Sequence, residues 1–242
     1  MSGLLQISPA VAERFPDYQG LVLVVTGLTN GPSDERSVAL LRAAEIHARA
    51  TFAGMSPAQH PHVVAWQEAF RAFGMKPRKT LNSAEALITR VLKGGQLPAI
   101  NRLADAYNAV SVRHVVPCGG EDLSRVVGAV TLKIADGSEP FETNRDGAPF
   151  VDHPLPGEVV WADEAGVTCR AWNWRQGTRT RLTEETTGAY FLFDALSPMT
   201  RAALEQASDE LARVLTELSP GCRIEWHWIG PADGGTAARQ GA

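Results

Sequence analysis

Cysteine is scarce in this chain, and long apolar runs are missing. Only Cys118, Cys169 and Cys222 occur among the 242 residues, and no two of them form a CxxC pair. That pattern excludes a disulfide framework and a cysteine zinc site, and it fits a reducing cytoplasm. The apolar run nearest the N-terminus, Leu21 to Val25, falls far short of the roughly 20 residues that a membrane helix needs. No basic stretch precedes it as in a signal peptide, so neither membrane contact nor export is expected. Positive charge is not in excess either: the net charge is −4 and the sequence pI about 5.9. Proteins that grip duplex nucleic acid are usually basic, so duplex DNA is not an expected partner. Any contact with nucleic acid is local.

The common catalytic fingerprints are absent as well. There is no GxGxxG, P-loop, GxSxG or HExxH. His60-Pro-His62 brings two imidazoles together without a third ligand. A solvated helix start suits it better than a metal site, and no metal or cofactor is expected.

What is present reads as helices first and strands later. Leu21–Val25 is a short β-branched run closed by Gly27 and Gly31, the pattern of a buried strand. Ser33 is placed to cap a helix running to about Phe52, with Arg36 spoiling the capping box. Further helices are predicted over His62–Phe73, from an Asn82 or Ser83 cap to Gly94-Gly95, and from Pro98 to about Tyr107. After Ser111 come candidate strands at Val126–Ile134, Glu158–Ala162, Val167–Trp174 and Ala189–Phe193. Ser197-Pro198 precedes a long amphipathic helix, Met199–Leu218, and Ile224–Ile229 follows as a strand. The partial segregation of helices from strands predicts an α+β fold with a mixed sheet core and flanking helices. The small, polar stretch 231–242 is expected to be a disordered tail.

The segment from Arg170 to Arg181 is the most unusual. No acidic residue falls between Ala165 and Thr183, whereas Arg170, Arg175, Arg179 and Arg181 are basic and Trp172 and Trp174 interleave with them. Arginine with aromatics can hold phosphate and stack a base. Equally, strand alternation can send both indoles into the core and leave Asn173 and Arg175 on the other face. Asn173 then needs a partner, because a polar residue between two aromatics is rarely left unsatisfied. Asn101 and Asn108, seven residues apart, would share one helix face, either as fasteners to backbone or as part of a site. Gly157-Glu158 and the hydroxyls of Thr183 to Thr187 add polar groups able to converge on a pocket.

From about Pro77 to Leu218 the chain resembles the third and fourth B domains of the phenylalanyl-tRNA synthetase beta subunit, and more specifically their stand-alone relatives. The residues that carry the likeness are Leu97-Pro-Ala-Ile-Asn101, Asp105-Ala-Tyr-Asn108, Ser111, Asp122-Leu123, Gly128, Gly157-Glu158, Asp163, Trp172-Asn-Trp-Arg175 and Thr186. The resemblance implies residues 76–230 as an editing-like domain, with 1–75 an α/β extension packed on it. It also implies a trans-acting deacylase that clears misacylated tRNA, with the tRNA acceptor end carrying an amino acid as partner. In the synthetase pattern Gly-Gln-Pro-x-His-Ala-Phe-Asp, the matching stretch here is Val115-Val-Pro-Cys-Gly-Gly-Glu-Asp122, so Gly119 stands where the histidine would be. The histidine and the tyrosine specificity therefore do not carry over. On this footing Asn173, Glu158, Asn108 and Ser111 are the candidate catalytic residues, with Glu158 orienting water and Asn173 donating to an oxyanion. Asn101, Trp172, Trp174, Arg175, Thr186 and Gly119 are the candidate substrate-binding residues. The alternative is a non-catalytic module binding RNA or an amino acid, or a pocket acting on a small aminoacyl metabolite.

Overall fold

The computed structural model describes residues 3–231 and 235–238. In chain order its elements are β1 (Leu5–Ile7), α1 (Pro9–Arg14), β2 (Gln19–Thr26), α2 (Glu35–Thr51), α3 (Pro61–Ala72), α4 (Ser83–Leu92), α5 (Arg102–His114), β3 (Cys118–Asp122), β4 (Val130–Ile134), β5 (Phe141–Arg145), β6 (Ala148–Asp152), β7 (Val159–Asp163), β8 (Gly166–Arg170), β9 (Arg175–Gln176), β10 (Gly188–Ala195), α6 (Arg201–Leu218), β11 (Arg223–Gly230) and β12 (Gly235–Ala238). One antiparallel sheet has the order β12-β11-β2-β10-β3. The second has the order β1-β4-β7-β8-β9 and is mixed, because β1 runs parallel to β4. Strands β5 and β6 form a separate hairpin.

Alternation along β2 and β10 decides what lies on each face of the first sheet. Leu21, Leu23 and Val25, with Ala189, Phe191 and Phe193, pack on the inner faces of α5 and α6. Val22, Val24, Tyr190 and Leu192 point the other way, into a second core with Val130, Leu132, Val159 and Trp161 of the mixed sheet. A third cluster joins α2, α4 and α5 through Leu41, Ala44, Ile88, Val91 and Val112. The fold is α+β with a mixed sheet and flanking helices, as the sequence pattern predicts; the second, antiparallel sheet packed face to face with it is a feature the pattern does not reveal.

Several local expectations need correction. Within residues 3–75, β2 is the middle strand of its sheet and β1 is an edge strand of the other. Helix α2 is capped by Asp34 rather than Ser33. The Asp34 carboxylate accepts from Ser37 N at 2.8 Å, while Ser37 Oγ accepts from Asp34 N at 3.1 Å, a capping box with serine as the third residue. Helix α5 starts four residues later than Pro98 suggests and runs on through Ser111 to His114. Thr200, not Ser197, caps α6. Part of the tail expected to be disordered, Gly235–Ala238, pairs with β11 as an edge strand; residues 232–234 and 239–242 lie outside the described residues. Val167–Trp174 is not one strand. β8 ends at Arg170, and the backbone turns through Ala171 and Trp172 at φ of 43° and 64°. Non-glycine residues seldom adopt that left-handed conformation, and each instance costs about 1–3 kcal/mol.

Candidate functional site

The face of the first sheet that looks toward the mixed sheet is not wholly apolar. In the β3–β10 register Gly119 lies opposite Leu192 and Glu121 opposite Tyr190, so the period of two sets Gly119, Glu121, Tyr190, Leu192 and Asp194 on that one face. A cavity of about 210 Å³ opens there. Its other walls come from Trp161 on β7, Cys169 on β8, the turn Trp172-Asn-Trp174, and Tyr107 and Asn108 of α5. Gln176 of β9 closes one side by donating to Gly120 O at 2.7 Å, which ties the two sheets together.

Two carboxyl groups are buried at this wall. Tyr190 Oη donates to Glu121 Oε2 at 2.6 Å, and Tyr18 Oη donates to Asp194 Oδ1 at 2.7 Å. Burial raises the Glu121 carboxyl to about 7 in spite of the hydroxyls of Tyr190, Thr180 and Thr168, which favour its charged form. Burial likewise raises Asp194 to about 7, although Tyr18, Trp172 and Asn173 ease its ionisation. Trp172 and Asn173 lie near Asp194 without forming hydrogen bonds of ordinary geometry. Groups titrating near neutrality can both give and take protons at working pH. The thiols of Cys118 and Cys169 are pushed well up, chiefly by burial, which disfavours the nucleophilic thiolate. Thiol catalysis is not what this cavity is built for.

Asn173 enters the cavity from the strained turn. Its side chain is 7% exposed, and neither its Nδ2 nor its Oδ1 has a hydrogen-bond partner. The turn is held from three directions. Glu158 Oε1 accepts from Ala171 N at 2.8 Å; Trp172 N bonds Val159 O at 2.7 Å; and Asn173 O accepts from Ser83 N at the start of α4 at 3.0 Å. Trp172 itself is fully buried, its ring 4.9 Å from Phe15, 5.1 Å from Tyr18 and 5.1 Å from Trp66. Because the chain turns rather than alternates, Trp172, Asn173 and Trp174 all line the same cavity, with the Trp172 ring held in the aromatic core behind it.

Of the residues singled out by sequence, Asn173, Asn108, Trp172, Trp174 and Gly119 meet here. The others do not. Glu158 lies outside the cavity lining: both its oxygens bind Arg170, Oε1 to Nε at 3.0 Å and Oε2 to Nη2 at 2.7 Å, and it braces the turn from behind. Ser111 donates to Val116 O at 2.6 Å and closes the end of α5. Asn101 is the cap of α5, accepting from Ala104 N at 2.9 Å, so it shares no pocket with Asn108. Thr186 donates to Asp122 Oδ2 at 2.6 Å within a turn. Arg175 is exposed, with one long bond to Asn144 O at 3.3 Å, and lies between two lining residues without lining the cavity itself. His60 and His62 stack edge to face at the start of α3, and no metal-binding cluster occurs among the described residues.

Glu121, Asp194, Tyr190 and Trp161 were missed. Asp194 carried a signal, since it extends the apolar run Tyr190–Phe193 where a solvent-facing carboxylate would not be expected.

A family profile described as B3/4 domain matches residues 65–220. Among solved structures, 15 chains match. One is an N-terminal fragment of the phenylalanyl-tRNA synthetase beta subunit from Pyrococcus horikoshii, similar over 93% of this chain at 12% identity with a TM-score of 0.47. This chain covers 50% of that fragment. No curated protein matches the chain.

Proposed function

The chain belongs to the B3/4 domain family, found in the phenylalanyl-tRNA synthetase beta subunit, and we propose that it is a trans-acting hydrolase of aminoacyl-tRNA. In this reading the acceptor end of a tRNA reaches the cavity mouth, the amino-acid side chain enters, and the ester is hydrolysed beside Asn173. The amide of Asn173 carries the proposal: it lines the cavity beside Asp194 and is engaged by no other group of the chain in ordinary hydrogen-bond geometry, so it can meet a ligand or a developing oxyanion.

Cavity size supports it. An apolar cavity of about 150 Å³ can hold benzene, whereas pockets for drug-sized ligands run to roughly 300–1,000 Å³. At about 210 Å³ the space suits one large side chain and not a nucleoside. An activated ester needs little beyond a placed water and a stabilised oxyanion. Glu121 or Asp194, titrating near 7, can accept the proton of the attacking water, and Asn173 Nδ2 can donate to the developing oxyanion. The absence of a membrane-length apolar helix among the described residues is consistent with a partner met in solution.

A panel of mischarged tRNAs, followed for ester loss, tests the reading. Release from at least one of them, abolished by heat denaturation, is expected. Gly119, standing where the synthetase pattern has histidine, favours a second reading as a non-catalytic binding module; tight binding of an aminoacyl-tRNA whose ester persists would establish that instead.

Two variants probe the mouth. Arg175→Ala is expected to change stability by no more than about 0.5 kcal/mol, since Arg175 is exposed and makes one weak bond. It should lower the slope of log affinity for tRNA against log salt by about one. An unchanged slope assigns Arg175 no phosphate. At Gly119 an added Cβ would meet nothing within 4 Å. Gly119→Ala should therefore melt like the parent, while Gly119→Phe should raise KM at least tenfold by filling the mouth. Unaltered kinetics in Gly119→Phe would move the entrance elsewhere.

A further inference from the structure

We propose that the cavity selects an amino-acid side chain ending in a cation, an ammonium or guanidinium-like group, and does so through Glu121 and Asp194 with the indoles of Trp161 and Trp174. The proposal deepens the reading above, resting on an aminoacyl ester as the ligand.

Its basis is a mismatch of charge. Two carboxyl groups line the cavity, yet none of its lining residues is Lys, Arg or His. Each carboxyl has one oxygen held by a phenol, Glu121 by Tyr190 and Asp194 by Tyr18. A phenol donates a proton without neutralising a charge. The charged group that acts on Glu121 is another acid, Asp163, while Thr168 and Thr180 add hydroxyls and Cys169 faces it across the cavity. Around Asp194 stand Tyr18, Trp172, Asn173 and the thiol of Cys118. Of the cations nearby, Arg170 binds Glu158 and Asp152 and lies over one face of Trp174, Arg179 binds Asp163, and Arg181, paired in register with Glu121, is exposed and does not line the cavity. Buried carboxylates are normally paired with a cation or a metal. Below about pH 7 these two carboxyls meet burial by keeping their protons; once they ionise, a cation brought in by the ligand supplies the partner that the lining lacks.

The rest of the wall suits such a guest. Aromatic faces attract a desolvated cation by about 2 kcal/mol or more, and Trp161, Trp172, Trp174, Tyr107 and Tyr190 all contribute to the lining. The Asn173 side chain, buried and without a partner, offers an oxygen to an N–H of the same guest. A purely apolar side chain would leave the Asn173 amide without a partner and give the two carboxyls nothing beyond their tyrosine hydroxyls. Specificity then follows the rule that a site built for a polar group rejects the isostere lacking it far more strongly than the converse.

The test is direct binding, independent of hydrolysis. Calorimetry would compare lysyl, arginyl, norleucyl and phenylalanyl amides of 3′-amino-3′-deoxyadenosine, all carrying the same α-ammonium. At about pH 8, the lysyl or arginyl compound is expected to bind at least tenfold more tightly than the norleucyl one. That preference should shrink as pH falls below about 7, where both carboxyls take up protons. Glu121→Gln or Asp194→Asn should remove most of the preference while norleucyl binding persists, which also shows that the variant is folded. Equal or tighter binding of the norleucyl or phenylalanyl compound at pH 8 overturns the proposal. So does a preference that survives in both variants, or a desamino analogue that loses as much for lysyl as for norleucyl, which would hand the carboxylates to the α-ammonium. If no adenosine-linked compound binds, pentylamine against pentanol separates the two readings. Stabilisation by pentylamine alone keeps the cation pocket and removes the tRNA end; stabilisation by neither overturns both.

Discussion

Thermal stability should fall as pH rises from about 5 to about 8 in the native chain, and a Glu121→Gln/Asp194→Asn variant should show little of that fall. The sign follows from proton counts. Glu121 moves from an ordinary 4.5 to about 7 and Asp194 from 3.8 to about 7, in both cases mainly through burial. Between those limits the folded chain keeps two protons that the unfolded chain has released, so unfolding becomes easier with each step upward in pH, until both groups ionise in the folded state as well. At about 1.4 kcal/mol per pH unit and group, the part of the window between pH 5 and 7 is worth about 5 kcal/mol for the two together. For a chain of this size that is a drop in Tm of about 10–20 °C. His60 and His62, lowered chiefly by burial, act in the opposite sense, but identically in both proteins, so the difference between them isolates the carboxyls. Both substitutions keep an oxygen to accept from Tyr190 and Tyr18. Parallel Tm–pH curves for the two proteins would show that the acids ionise in the cavity as freely as in water.

That the two acids escaped sequence reading has a physical cause. Gly119-Gly120 before Glu121 signals a turn, but here the glycines sit in an edge strand: β3 ends its sheet, and a Cβ on Gly120 would come within 2.9 Å of the Phe191 ring. Glycine is a packing requirement there, and the strand continues through it to Glu121. Strands β2 and β10 were legible because each is a long β-branched or aromatic run buried on both faces. Their neighbour relations were not, since β2 bonds to partners more than 160 residues away. The segment around Trp172 misled for another reason. It has strand composition, and the turn rests on left-handed backbone at Ala171 and Trp172, neither of which is glycine. Tertiary restraints from Glu158, Val159 and Ser83, with the packing of the Trp172 ring, hold it beside the turn's own bonds from Asn173 N to Ala171 O and from Trp174 N to Arg170 O. Asn173 was placed in a pocket by an alternation that does not exist there. The premise that survives is satisfaction: a polar residue between two buried indoles has to be accounted for.

Asn173→Ala should lower the single-turnover rate of ester hydrolysis by about 10²-fold or more, the usual loss for one oxyanion donor. Its effect on stability should be small. The amide lines the cavity beside Asp194 and makes no hydrogen bond of ordinary geometry to the rest of the chain, so deleting it removes little that holds the fold together. The variant is expected to melt close to the parent. Lower activity joined to undiminished stability is the mark of a residue held in place for chemistry rather than for packing. Asn173→Asp should do worse on both counts. A carboxylate there repels the developing negative charge, and it puts a third acid beside Asp194 in a space without a cationic side chain. Its activity should fall below that of the Ala variant, and its Tm should drop as pH rises through neutrality. Deacylation kinetics run beside melting curves decide the matter. An Asn173→Ala protein that keeps full activity yet melts clearly earlier would make Asn173 a brace of the strained turn, and the oxyanion would have to be held by something else.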